Sequence, residues 1–416
     1  MLSVAVAFVL LGQTQPKTIH AIDWNNLPYQ EQVSSAFADK YDSVDFNKQY
    51  EQGVFDKPFQ EQVKSKVEAL VTKNGIVGAT VVCVVDGQLR AAVAVGLRKL
   101  GSRVPIDVSD PMHIGSNTKG MTALVFARLV EKGKLRWDET LGEAIGRSEA
   151  GSFAEVPLVD FLRQRSGMTD QHAPDLFSAK YNSLAPSDWI GKGMPSIQQR
   201  VEARKKFVLD SLAAGFAFPP GSKHQYANLN YITLGYCEET VSGKSWDELI
   251  SDEVFTPLHM KVAGLGPMGR KDDVSAPWQH VSEGGQFRPV FHDNPPLFGP
   301  AGLVHCSALD LANYSWFRSV GAYGLGTYLK PGTWKVLSTP GAGTGYACGI
   351  AVSGPDSNGV RDMSHGGSNN MSCSDWWVRY HGRVQIVCMV NCQSPEGNGE
   401  ILRALEKLTG DYYKLR

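Results

Sequence analysis

Ser116 and Lys119 stand three residues apart in Ser116-Asn117-Thr118-Lys119, the single SxxK of the chain, at the head of an apolar run. A helix starting there sets the serine among first-turn N–H groups that lack partners, and brings the lysine onto the same face one turn later. A serine hydroxyl becomes a competent nucleophile when a nearby base takes its proton, and an amine can be that base. The competing reading of these four residues is a helix N-cap followed by a solvent-facing lysine.

Two further groups carry matching chemistry. Tyr226-Ala227-Asn228 follows the turn-forming Pro219-Pro220-Gly221 and precedes a helical run. From such a loop the phenol can serve as a second base or proton relay, and the amide can orient a substrate carbonyl or Lys119. A buried tyrosine with a capping asparagine is the alternative. His365-Gly366-Gly367-Ser368 lies between two expected strands. Paired glycines let a ligand approach the backbone, and the Ser368 N–H could face that of Ser116 across a developing oxyanion; a loop needing only flexible backbone is the other reading.

The elements that must position these groups follow from periodicity. Pro58 opens a helix with Phe59, Val63, Val67 and Leu70 on one face. Residues 76–85 and 88–95, joined by Asp86-Gly87, form a hairpin so continuously apolar that its sheet must be covered on both faces. Met121, Leu124, Val125 and Leu129 give the helix after Ser116 an apolar face, and Gly133 stops it. Helical stretches at 157–162, 198–212 and 228–239 follow, with few strand runs among them. Strands return at 344–352, 375–380 and 383–392, the last two joined at His381-Gly382, before a helix at 400–408.

The expected fold class is therefore α/β, of the α+β type: an antiparallel sheet built from both ends of the chain and flanked by helices, with a mainly helical lobe inserted. The expected segments are a signal or buried terminal segment at 1–22, an arm at 23–57, a mixed lobe from 58–140 and 300–416, and the helical lobe at 141–299. The site belongs in the cleft between lobes.

Composition narrows the function classes. Lys plus Arg total 41 against 42 acidic residues, with no basic tract, so a nucleic-acid partner is not expected. Seven scattered cysteines without CxxC spacing read as mostly free structural thiols. His224, His259, His280, His292 and His305 are dispersed, and Gly341-Ala342-Gly343-Thr344-Gly345 lacks the strand, lysine and helix of a phosphate loop. No metal or organic cofactor is expected. The apolar run at 2–11 is too short to span a bilayer and reads as the core of a shortened signal peptide, implying a periplasmic or secreted protein; a buried terminal segment in a cytoplasmic protein is the alternative.

Taken in order, the three motifs resemble those of the serine beta-lactamase and penicillin-binding-protein-like superfamily. The likeness is greatest to its class C branch, which includes D-alanyl-D-alanine carboxypeptidases, D-aminopeptidases and family VIII carboxylesterases. It extends through Lys132-Gly133-Lys134-Leu135, through Leu162-Arg163-Gln164-Arg165-Ser166-Gly167-Met168 as a modified Leu-Thr-His-Thr-Ser-Gly-Leu, and through Pro300-Ala301-Gly302-Leu303. The resemblance implies a beta-lactamase/transpeptidase-like fold and acylation of Ser116, with Lys119 and Tyr226 sharing proton transfer. It further implies positioning by Asn228, His365, Gly366 and Gly367, and oxyanion contacts from the backbone N–H groups of Ser116 and Ser368. The implied substrate is a small ester, beta-lactam or short peptide-like amide. Histidine at 365, where class C beta-lactamases carry lysine, shifts the expectation toward carboxylesterase or D-amino-acid peptidase action. A beta-lactamase and a non-catalytic binding or assembly protein are the alternatives.

Overall fold

The most apolar runs of the chain become its central strands. The computed structural model describes residues 41–175, 178, 180, 194–353 and 362–415; the apolar run at 2–11 and the arm up to residue 40 lie outside them. Eleven strands occur among the described residues: β1 (Gly78–Val85), β2 (Gln88–Gly96), β3 (Met112–His113), β4 (Gly264–Leu265), β5 (Gln279–Glu283), β6 (Gln286–Val290), β7 (Val304–Cys306), β8 (Ala351–Val352), β9 (Met363–Ser368), β10 (Cys373–Arg379) and β11 (Val384–Val390). Six of them form an antiparallel sheet in the order β2-β1-β11-β10-β9-β8, so both ends of the chain meet in one sheet.

Every residue of β1 and of β11 is buried. One face of the sheet packs on helices Lys57–Asn74 and Pro395–Tyr413 through Phe59, Val63, Val67, Ile401 and Leu405. The other packs on helix Ala308–Ala322 and the main core. This double cover is what the unbroken apolar pattern of β1 required. Helix Lys57–Asn74 starts as expected, with Asp56 capping and Pro58 in its first turn, and ends at Gly75 in the left-handed region. All seven cysteines are free and buried.

Three local expectations change. The strand expected at 344–352 shrinks to Ala351–Val352: Gly349 adopts φ 75°, and a Cβ there would lie 2.5 Å from Gly120 Cα, so the chain bends over the Thr118–Glu131 helix instead of extending. Strands also occur within the segment expected to be mainly helical. β5 and β6 form a hairpin turned by Gly284 and Gly285, both at positive φ. His280 docks it, accepting from Leu100 N at 3.0 Å and donating to Asn391 O at 2.7 Å. The part of the arm from residue 41 onward is built into the core: Tyr41, Val44 and Phe46 are buried, and Trp316 donates to Tyr41 O.

Candidate active site

Ser116 lies in a single 3-10 turn, Gly115–Asn117, that leads into helix Thr118–Glu131. The helix is buried along most of its length, and Lys119 with it at 0% exposure, so the solvent-facing lysine reading fails. Burial of an ammonium demands partners, and Lys119 Nζ has three: Ser116 Oγ at 2.9 Å, Asn228 Oδ1 at 2.8 Å and Ala301 O at 2.8 Å. The two carbonyl oxygens can only accept. Ser116 Oγ can accept from an ammonium or donate to a neutral amine. One geometry therefore accommodates both protonation states of the lysine.

Asn228 opens helix Asn228–Ser242, whose N-cap is Ala227 without a capping side chain. Asn228 is thus not a cap; its amide oxygen faces Lys119. Tyr226 is 38% exposed and presents its ring, with Lys119 Nζ 4.9 Å from the centroid, and Tyr346 meets that ring edge-on at 6.1 Å. Among the described residues its hydroxyl makes no hydrogen bond to Ser116 or Lys119. The structure brings the aromatic face to the lysine, a cation–π contact.

The Tyr226 loop is held by Gln164, a residue whose supporting role nothing in its neighbouring residues marks. Gln164 is buried at φ 60°, a conformation that costs a non-glycine residue energy and tends to persist at functional positions. Its main-chain oxygen accepts from Gln225 N at 2.8 Å, and its Oε1 accepts from Ala227 N at 3.0 Å and Asn230 Nδ2 at 2.5 Å. Arg165 donates to Ala342 O and Gly221 O, joining the two sides of the surrounding loops.

The His365 motif is a strand, β9, not a gap between strands. His365 is 8% exposed and points into the protein, with Nδ1 3.3 Å from Asn117 Oδ1. Asn117 Nδ2 is committed to Ser374 O and Oγ, so its Oδ1 accepts and His365 carries its hydrogen on Nδ1. Burial, with Lys119 and Arg318 nearby, pushes the imidazole down to about 3, and it is neutral at pH 7.

The two glycines face the protein's own atoms. A Cβ on Gly367 would lie 1.9 Å from Ile114 O and 2.8 Å from Ser116 N, and one on Gly115 2.3 Å from Ser368 N. The Ser116 turn and the end of β9 are thus in backbone contact. Ser368 Oγ is spent on its own turn, donating to Ser372 O and accepting from Asn370 N. Beneath the same turn, His113 Nδ1 accepts from Gly115 N at 3.0 Å, and its Nε2 lies 2.9 Å from Asp293 Oδ1, both side chains fully buried.

A Cβ on Gly366 would lie 2.3 Å from Asp375 Oδ1. Burial pushes the Asp375 carboxyl up to about 7, opposed by a hydrogen bond from Asn398. Its folded value exceeds the unfolded one of 3.8, so its contribution to stability is full below pH 3.8 and is lost as pH rises to about 7. Asp375→Asn is expected to flatten the fall of unfolding free energy between pH 4 and 7 by up to about 1.4 kcal/mol per pH unit. Denaturant titrations across that range check it, and parallel curves for the two proteins would refute it.

A cavity of about 370 Å³ shares Asn228 with the site and is lined by Phe207, Leu229, Ile232 and Phe298 together with the carboxylates of Asp170 and Asp175.

The sequence profile of the Beta-lactamase family matches residues 63–411. The chain belongs to the Beta-lactamase family. Among members of known sequence, Penicillin-binding protein 4 of Amycolatopsis lactamdurans is 25% identical over 258 residues, 61% of this chain and 62% of that protein. The chain thus spans less than two thirds of that curated relative's length. Among solved structures, the octameric penicillin-binding protein homologue from Pyrococcus abyssi superimposes with a TM-score of 0.66 at 21% identity, covering 84% of this chain and 77% of that one. A D-stereospecific amidohydrolase from Streptomyces sp. gives a TM-score of 0.61 at 18% identity, covering 83% of this chain and 98% of that one. At these identities both structures show the Beta-lactamase-type fold.

Proposed function

We propose that the protein is a serine hydrolase that transfers the acyl group of an ester or peptide-like amide to Ser116 and then to water. The observation that carries this reading is Lys119 Nζ, 2.9 Å from Ser116 Oγ and held by two obligate acceptors on its other sides. As Oγ bonds to the substrate carbonyl carbon, its proton passes to the neutral amine of Lys119 and the carbonyl electrons move onto oxygen. Collapse of that adduct expels the leaving group, which takes up the proton from Lys119, with the exposed Tyr226 ring lying against that amine. Water then adds to the acyl-enzyme carbonyl, giving a proton to Lys119, and collapse breaks the bond between the acyl carbon and Ser116 Oγ, which takes that proton back as the acid departs. The backbone N–H groups of Ser116 and Ser368, on elements in direct contact, are read as the oxyanion donors.

The cavity beside Asn228, whose walls at Phe207, Leu229, Ile232 and Phe298 are apolar, suits an acyl group with a hydrocarbon side chain. His365, neutral and buried, offers no charge to a substrate carboxylate, which favours neutral esters and peptide-like amides over beta-lactam turnover. The amidohydrolase among the structural neighbours is consistent with amide substrates. Intact-mass measurement after a fluorophosphonate, followed by peptide mapping, tests the reading. One adduct on the peptide containing Ser116 is expected, and its absence or its location elsewhere would sink the assignment.

A further inference from the structure

Asn228 stands at a helix start that its own segment leaves uncapped. The residue before its helix, Ala227, offers no side-chain cap, so the first N–H groups must find acceptors elsewhere. They find one 58 residues earlier in the sequence. Asp170 Oδ2 accepts from Asn228 N at 3.0 Å and from Asn228 Nδ2 at 2.8 Å, while Oδ1 accepts from Leu229 N at 3.0 Å.

The side-chain bond has a consequence beyond capping. An amide has one accepting end and one donating end, and Lys119 requires the accepting end. With Nδ2 tied to a carboxylate that can only accept, Oδ1 must point the other way, to Lys119 Nζ at 2.8 Å. Turned over, the amide would set its NH2 against the ammonium and an oxygen against a carboxylate.

We propose that Asp170 is a positioning residue of this site, holding the Asn228 amide with its oxygen toward Lys119. This rests on the reading of Ser116 as nucleophile only where acylation is measured; the orientation itself can be tested without activity. Asp170 reaches the reaction through Asn228 and Lys119 and needs no contact with the reacting atoms. Gln164 differs in kind, since it holds the main chain on both sides of Tyr226 but does not touch the Asn228 amide.

The test compares the parent, Asp170→Ala, Asp170→Asn, Asn228→Ala and the double Asp170→Ala/Asn228→Ala. With asparagine side chains labelled by 15N, exchange of the Asn228 NH2 protons is expected to accelerate at least about tenfold in Asp170→Ala, because a charge-assisted bond is lost. Unchanged exchange would overturn the proposal whatever the chemistry of Ser116. Acylation by a chromogenic ester is expected to slow about 10- to 100-fold in Asp170→Ala, as for other misplaced catalytic groups. It should recover in part in Asp170→Asn, which keeps an acceptor for the amide.

In the Asn228→Ala background the same substitution is expected to leave the acylation rate unchanged while still lowering the Tm, since the caps to positions 228 and 229 are lost in either case. Equal fold losses in both backgrounds would show that Asp170 acts independently of Asn228, and would overturn the proposal. An absence of acylation in the parent would count against the proposed function alone, with the exchange measurement still deciding the role of Asp170.

Discussion

Lys119→Met is expected to slow acylation of Ser116 by about 10³-fold, within the range for loss of a positioned general base, and to leave the protein folded. Methionine matches the length and apolar character of the lysine stem, so the buried space that stem occupies stays filled. The substitution leaves Asn228 Oδ1 and Ala301 O without their donor, at a cost of about 1–3 kcal/mol each, and it also removes a buried polar amine whose desolvation opposed folding. The net change in Tm is therefore small beside the change in rate. Lys119→Arg separates base from charge: a guanidinium keeps the cation but does not deprotonate, so it should be as slow as methionine. Single-turnover rates with a chromogenic ester, alongside thermal melts, check both. A rate within tenfold of the parent for either variant would remove Lys119 from the proton-transfer role.

How much of this site could be read from the sequence depends on whether a residue acts through its side chain or its backbone. Ser116, Lys119 and Asn228 were legible because the chemistry needs a hydroxyl, an amine and an amide, and the structure brings those three within hydrogen-bond reach. Ala301 was not, because any residue supplies a carbonyl oxygen. Asp170 left a fainter trace: Ala227 before a helical run implies a cap from outside the segment, but not from where. Gln164 lies in the segment 162–168, whose likeness to a family motif carries no sign of a supporting role for the glutamine, and its left-handed backbone is unusual for that residue type.

The fold shows the same division. β1, β11 and the helix Lys57–Asn74 were legible because burial on one or both faces writes itself into side-chain type. The β5–β6 hairpin was not, since Gln279, His280, Ser282 and Glu283 carry no apolar alternation and its place is fixed by hydrogen bonds of His280 to distant main chain. β9 was hidden for a related reason: Ser364, His365, Gly366 and Gly367 have low intrinsic strand preference, and pairing with β10 decides their conformation.

The glycines of β9 lead to the second large effect. Gly367→Ala is expected to lower acylation by about 10²- to 10³-fold, the loss associated with one oxyanion donor, and to destabilise the protein by roughly 1–3 kcal/mol. The three atoms nearest the added methyl, Ile114 O at 1.9 Å, Ser116 N at 2.8 Å and Asn117 N at 2.9 Å, all belong to main chain, so no rotamer change can make room. Either β9 retreats or the Ser116 turn does, and both movements part Ser116 N from Ser368 N. Gly366→Ala provides the contrast, because the atom it meets, Asp375 Oδ1 at 2.3 Å, is the tip of a side chain. Adding Asp375→Ala to Gly366→Ala is expected to restore the acylation rate to within a few-fold of the Asp375→Ala parent, roughly the scatter of additive, uncoupled changes. The same addition should do nothing for Gly367→Ala. If Asp375→Ala rescued both glycine variants, contact between the Ser116 turn and the β9 backbone would not be what sets the rate.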